Sequence, residues 1–239
     1  MGKCMIFILA FVSGLYFSSC KTIISSNKNI GLSPSKVIFT FDDGPNQRNN
    51  TTENLLDILN KYQVKGVFCL LGENVAENPE IVRRIYNDGH VIVNHGYSDK
   101  FTIFMNKNKF KENLLSGERA ITEALGVDFY PKLYRPQGGV FTPKQQRIID
   151  EEGYVIVPFS IVVMDLFTTH SGIDRLTKRI TKKVNSKDGG VILLHDRRAG
   201  TERSARKLEK SPDGVYNRSW IPEAVETIII ALLDEGYVL

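Results

Sequence analysis

The sequence predicts an α/β fold, and within that class a single barrel. From Val37 onward short apolar runs alternate with helix-length amphipathic segments, the pattern of repeated βα units. No glycine-rich dinucleotide fingerprint follows the first strand, which disfavours a doubly wound sheet. The unusual polar residues fall just after the apolar runs, the end of a barrel that carries chemistry.

The N-terminus stands outside that pattern. Lys3 precedes the apolar run Met5–Phe17, too short to span a bilayer comfortably and read as a signal-peptide core. Ser18 and Ser19 before Cys20 resemble a loose bacterial lipobox, so residues 1–20 are expected to be a signal peptide of lipoprotein type with a lipid anchor at Cys20. Ordinary cleavage nearby, or an uncleaved anchor, are the alternatives. Residues 21–35 read as a polar tether and 36–239 as the domain. Cys69, inside "GVFCLL", then has no internal disulfide partner and is expected to be a buried structural thiol.

Expected strands are Val37–Phe41, Val67–Leu71, Val91–Asn94, Leu133–Arg135, Val155–Phe159, Val191–Leu194 and Tyr237–Leu239. Helices are expected near Thr52–Tyr62, Pro79–Asn87, Asn108–Leu125, Pro143–Glu152, Ile173–Val184 and Ile221–Glu235. Asn78-Pro79 and Thr142-Pro143 each set a capping residue before a proline at the first helical position. Gly89, Gly126, Gly153 and Gly236 supply stops. With 239 residues, 42% hydrophobic, the chain can bury one sizeable core. A net charge of +4 is too mild to argue for nucleic acid.

Asp42 and Asp43 follow the first strand, His95 and Asp99 the third, Arg135 the fourth, Asp165 the fifth, and His195 with Asp196 the sixth. Singly each is an ordinary turn or structural residue; together they address one cavity. A divalent metal would neutralise one of the adjacent acids, and oxygen plus imidazole ligands suit zinc or a similar transition ion. The other acid could then serve as general base, kept ionised by an arginine, with a histidine as general acid. That is a plan for hydrolysing an amide or ester.

The stretches "TFDDGP" (Thr40–Pro45), "GHVIVNHGYS" (Gly89–Ser98), "YRPQGG" (Tyr134–Gly139), "FSIVVMDL" (Phe159–Leu166) and "GGVILLHD" (Gly189–Asp196) resemble, in order, the five motifs of the polysaccharide deacetylases. These are the NodB-homology carbohydrate esterases of family four. The resemblance covers Lys36 to Leu239 and implies a distorted (β/α) barrel of seven or eight strands. It implies metal-dependent removal of N- or O-acetyl groups from a glycan such as peptidoglycan or poly-N-acetylglucosamine, by an exported protein of the cell envelope. The cofactor would be zinc, with cobalt, nickel or manganese as alternatives. By position, Asp42 is the catalytic base and Arg135 orients it; His195 is the catalytic acid and Asp165 orients it. Asp43 and His95 are metal ligands, with Asp99 where the family has a third. Leu193 lines the acetyl pocket, and the Gly138 N–H helps hold the oxyanion.

The chain departs from that pattern. Asp99 stands for histidine, Gly138 for tyrosine, Gln137 for proline, Leu166 for tryptophan and Val162 for aspartate. Asp99 would favour harder ions, and a less walled pocket is expected. A glycan-binding pseudoenzyme and a hydrolase of a different amide or ester are therefore the rival readings. After Asp196 comes a long basic stretch beginning Arg197-Arg198, either a solvated loop or a clamp for an anionic glycan. His90 is expected to be structural, and His170 to lie in a polar loop apart from the site.

Overall fold

The computed structural model describes residues 21–29, 31–197 and 216–239. The apolar run, Cys20 and Arg198 lie outside the described residues. Among those described, no helix is long and apolar enough to cross a membrane.

Seven strands form one all-parallel sheet: β2 (Val37–Gly44), β3 (Val67–Leu70), β4 (Val91–Asn94), β5 (Leu133–Tyr134), β7 (Val155–Ile156), β8 (Ile161–Val162) and β9 (Gly190–His195). Their order is β7-β5-β4-β3-β2-β9-β8, so the two edge strands, β7 and β8, are consecutive in the chain. A flat sheet of that width would separate its edges by about 29 Å at about 4.8 Å per strand. The chain from Ile156 to Ile161 can span at most about 19 Å. The sheet must therefore curl, and the expected distorted barrel is the result.

Helices α1 (Thr51–Lys61), α2 (Gly72–Glu77), α3 (Pro79–Asn87), α4 (Lys107–Leu125), α5 (Pro143–Glu151), α6 (Ile173–Lys187) and α7 (Ile221–Asp234) accompany the strands. Thr142 caps α5 in a full capping box with Gln145. Asn78 does not cap α3; its amide donates back to the carbonyl of Asn74. The four expected stop glycines all adopt left-handed backbone after their helices.

Alternation along the strands divides the apolar residues into two sets. Phe39, Phe41, Phe68, Ile92, Ile192 and Leu194 face outward and join the helices in the main core. Val191, Leu193, Phe141 and Phe159 face inward in a smaller cluster that plugs the barrel. That plug is completed by Ile23, 4% exposed. Residues read as a tether are thus partly docked: β1 (Lys21–Thr22) pairs antiparallel with β6 (Val140–Phe141), and Ile23–Ser25 bonds to Gly139 and Phe159 across the seam. The isoleucine pair Ile23-Ile24 was too weak a signal within a polar stretch, although burying Ile23 contributes about 2 kcal/mol.

Two further expectations are corrected. Tyr237–Leu239 is reduced to one bridge, Lys36 with Val238. The seventh strand is instead β8, which lies beyond the strand expected at Val155–Phe159 and was not expected. The expected strand itself ends at Ile156, because the chain turns at Val157–Ser160 to cross the seam.

Candidate active site

The sheet register sets the residues of the site. Asp42 is paired with His195 on one side and with Cys69 on the other, and Thr40 is paired with Leu193. Paired residues of a parallel sheet point the same way, so Asp42, Cys69 and His195 all face inward above the apolar plug. Leu193 lies beneath them in the plug, and Cys69 is buried.

Arg135 carries the first half of the site. Its side chain is fully buried, and every branch is occupied: Nη1 donates to Asp42 Oδ1 at 2.7 Å and Thr40 Oγ1 at 2.8 Å, Nε to the Val157 carbonyl, Nη2 to the Pro158 carbonyl. Burial pushes the Asp42 carboxyl up, but Arg135, then His95 and His195, outweigh it and hold it below the usual carboxylate range. Asp42 is thus an ionised carboxylate with Oδ1 fixed and Oδ2 turned toward the cavity, 3.8 Å from His95 Nε2.

Regular alternation would send Asp43 to the opposite face. A bulge prevents this: the register of β2 against β3 slips between Asp42 and Gly44, and Asp43 takes φ 74°. Aspartate tolerates that conformation better than most residues. Both acids thereby reach one cavity, and Asp43 Oδ1 lies 3.5 Å from His95 Nε2. His95 Nδ1 donates to the Arg135 carbonyl at 2.7 Å, which fixes the tautomer and leaves Nε2 for whatever lies between the acids. Burial disfavours the charged imidazole, yet Asp42 and Asp43 together raise its pKa. A place that draws a proton onto Nε2 also suits a divalent cation, so Asp43 and His95 fit as two donors.

Asp99 does not complete a triad. Among the described residues no three His, Cys, Asp or Glu side chains converge to hold a metal ion. The loop from His95 to Asp99 is clamped instead: Asn113 Oδ1 accepts from Tyr97 N, Ser98 N and Ser98 Oγ, and Gln137 Nε2 donates to the Ser98 carbonyl. Burial, then Asp43 and Glu73, push the Asp99 carboxyl up to about 7. A carboxyl raised on folding costs stability once ionised, so the penalty is absent below about pH 4 and grows through pH 7. In cation-free protein Asp99→Asn should therefore raise Tm by about 3 °C or more at pH 8 and hardly at all at pH 4. Equal shifts in thermal scans at both pH values would show that Asp99 is not buried against its acidic neighbours.

The second half of the site is His195 and Asp165. His195 Nδ1 donates to Asp165 Oδ1 at 3.0 Å and its backbone N–H to Oδ2 at 2.9 Å, which leaves Nε2 for the cavity. Burial lowers the imidazole pKa, but Asp165, with Asp43 and Asp42 beyond it, raises it to about 9. Sequence reading missed the residue behind this pair. Arg218, buried just before α7, donates to Asp165 Oδ2 at 2.5 Å and to the carbonyls of Asp165 and His195. It closes a polar stretch, far along the chain from its partners, and no local signal marked it.

Gly138 sits at the mouth in left-handed backbone (φ 72°). A Cβ there would stand 2.9 Å from the ring of Phe101, itself half-exposed on another loop. Arg197 is half-buried, near enough that its charge partly offsets the burial that raises the carboxyls of Asp99 and Asp196. Asp196 is buried under Gly44, where a Cβ would meet its Oδ1 at 2.6 Å; Thr52 Oγ1 donates to its Oδ2. His90 accepts from the Gly66 N–H and is held near pKa 4, chiefly by burial, so it is neutral and structural. His170 is exposed and pairs with Glu223.

Comparison with known proteins follows the same lines. The profile of the family described as Polysaccharide deacetylase matches residues 30–157. A peptidoglycan-N-acetylglucosamine deacetylase of Bacillus cereus is 34% identical over 166 residues, 70% of this chain and 58% of that protein. The match therefore spans little more than half of that relative. A chitooligosaccharide deacetylase of Bradyrhizobium is 28% identical over 84% of this chain and 86% of its own. The solved structure of the Bc1960 peptidoglycan N-acetylglucosamine deacetylase superposes with a TM-score of 0.69 at 30% identity, covering 86% of this chain and 85% of that one. The chain belongs to the polysaccharide deacetylase family.

Proposed function

We propose that the protein removes acetyl groups from a glycan of the bacterial envelope, with N-acetylglucosamine units of peptidoglycan or a related polymer as substrate. The observation that carries this reading is the pairing of a held base with a held acid. Asp42, bound to Arg135, and His195, bound to Asp165, are register partners facing one cavity. The relatives named for peptidoglycan and chitooligosaccharide deacetylation support the substrate class.

Asp42 Oδ2 takes a proton from the attacking water as its oxygen bonds to the acetyl carbon. The Gly138 N–H helps hold the developing oxyanion. His195 Nε2–H then protonates the amide nitrogen, the C–N bond breaks, and acetate and the free amine leave. Arg135 keeps Asp42 ionised and aimed throughout. Asp43 and His95 would hold a divalent cation, zinc or a harder ion, which when bound supplies Lewis acidity for the attack of water on the acetyl carbon; Asp99, the third donor by position, would have to swing in from its loop to join them. Arg197, with Arg198, would favour a glycan bearing carboxylates, and a lipid at Cys20 would keep the enzyme at the membrane.

A second reading, a glycan-binding relative without turnover, is favoured by one observation: the third metal donor is not converged. Acetate release from N-acetylglucosamine oligomers, assayed with added zinc, cobalt or manganese, separates the two. Release that a chelator abolishes supports the deacetylase. Retention of the glycan with no acetate under any of these ions overturns it. The two groups also fix a pH profile. Asp42 must be ionised and His195 protonated, so activity should fall on the alkaline side as His195 titrates near pH 9, moved lower by a bound cation.

A further inference from the structure

We propose that Arg218 is a positioning residue for the general acid: it locks Asp165 onto His195 and balances the charge of Asp165 when His195 gives up its proton. The inference rests on the deacetylase reading for its consequence in turnover, and on geometry for its substance.

Asp165 receives three hydrogen bonds on its two carboxyl oxygens: the imidazole Nδ1–H on Oδ1, and the His195 backbone N–H and Arg218 Nη2 on Oδ2. With both oxygens engaged, the carboxylate plane cannot rotate away from the imidazole. The same guanidinium donates to the backbone carbonyl of Asp165 at 3.0 Å and of His195 at 2.7 Å from Nη2 and 3.2 Å from Nε. It therefore clamps the end of β9 to the turn after β8, the two segments that carry the pair. Among the described residues it also meets Trp220, whose ring centroid lies 4.6 Å from the guanidinium carbon. Only a planar fork can make these contacts at once, so lysine would keep the charge and lose the clamp.

The charge matters as much as the shape. Asp165 is buried, and a buried carboxylate left alone is costly. If His195⁺ were its sole counter-charge, each proton donation would strand it, and His195 would hold its proton too firmly to act as an acid. Arg218, itself 2% exposed, supplies a cation that stays. Asp165 is then compensated before and after transfer. Asp165 after β8, then Asp43 and Asp42 of β2, tighten the hold of His195 on its proton; Arg218, before α7, would loosen it through the Asp165 carboxylate that it binds.

The test is an NMR pH titration of the imidazole carbon protons in the wild type, Arg218→Met and Arg218→Lys, beside steady-state deacetylation. The chain has four histidines, so His195 is assigned with one His195→Gln spectrum. Arg218→Met should move the His195 midpoint up by about one pH unit or more and lower kcat at least about tenfold, with KM within about twofold. Arg218→Lys should keep the midpoint near the wild-type value and lose kcat several-fold. If Arg218→Met does not fold, Arg218→Lys decides, since wild-type kcat in that variant would overturn the clamp. An unmoved midpoint in folded Arg218→Met would overturn the charge role. Because the midpoint is read without substrate, an inactive protein would defeat the deacetylase reading and still leave this one decided.

Discussion

Asp42→Asn should abolish acetate release while the fold persists, with kcat lowered by about three orders of magnitude and glycan affinity little changed. Asparagine keeps an oxygen where Oδ1 accepts from Arg135 Nη1, so the side chain stays aimed. What it loses is a site for the proton of the attacking water at Oδ2. The loss also removes a negative charge that raises the pKa of His95 and of His195, so both imidazoles should titrate lower in the variant. Acetate assays with circular dichroism check the first part, and histidine NMR the second. An Asp42→Asn protein within tenfold of wild-type kcat would move the base elsewhere.

Much of the site was legible because its members sit where short apolar runs stop. Asp42, Arg135, Asp165 and His195 were found by that rule, and pairing across the sheet does the rest. Asp43 was named, but not how it reaches the same cavity as Asp42. Period-two alternation forbids that, and only a bulge with φ 74° permits it. Arg218 and Ile23 escaped because their partners are remote in the chain and the stretches around them are mostly polar. Strand β8 escaped because two residues carry no periodicity. The departures at Gly138 and Gln137 looked like losses when taken one at a time. In the fold Phe101 lies beside Gly138, and Gln137 ties down the loop that ends in Asp99.

Arg135→Met should cost about 3–5 kcal/mol of stability, because it leaves Asp42 buried with its lasting counter-charge gone. Its pKa would climb as burial wins, and at neutral pH the base would be partly protonated. Activity should fall with it, and the acid side of the pH profile should move up. The informative protein is the double variant, Arg135→Met with Asp42→Asn. Removing both charges removes the uncompensated ion, so most of the lost stability should return, although the arginine's bonds to the Val157 and Pro158 carbonyls do not. Chemical denaturation of the four proteins closes the cycle. Recovery of stability without recovery of activity would mean that the buried ion pair is kept for the proton it handles rather than for the fold. If the double variant is no more stable than Arg135→Met alone, Arg135 is chiefly a tie between β5 and the seam at Val157–Pro158, and its service to Asp42 is secondary.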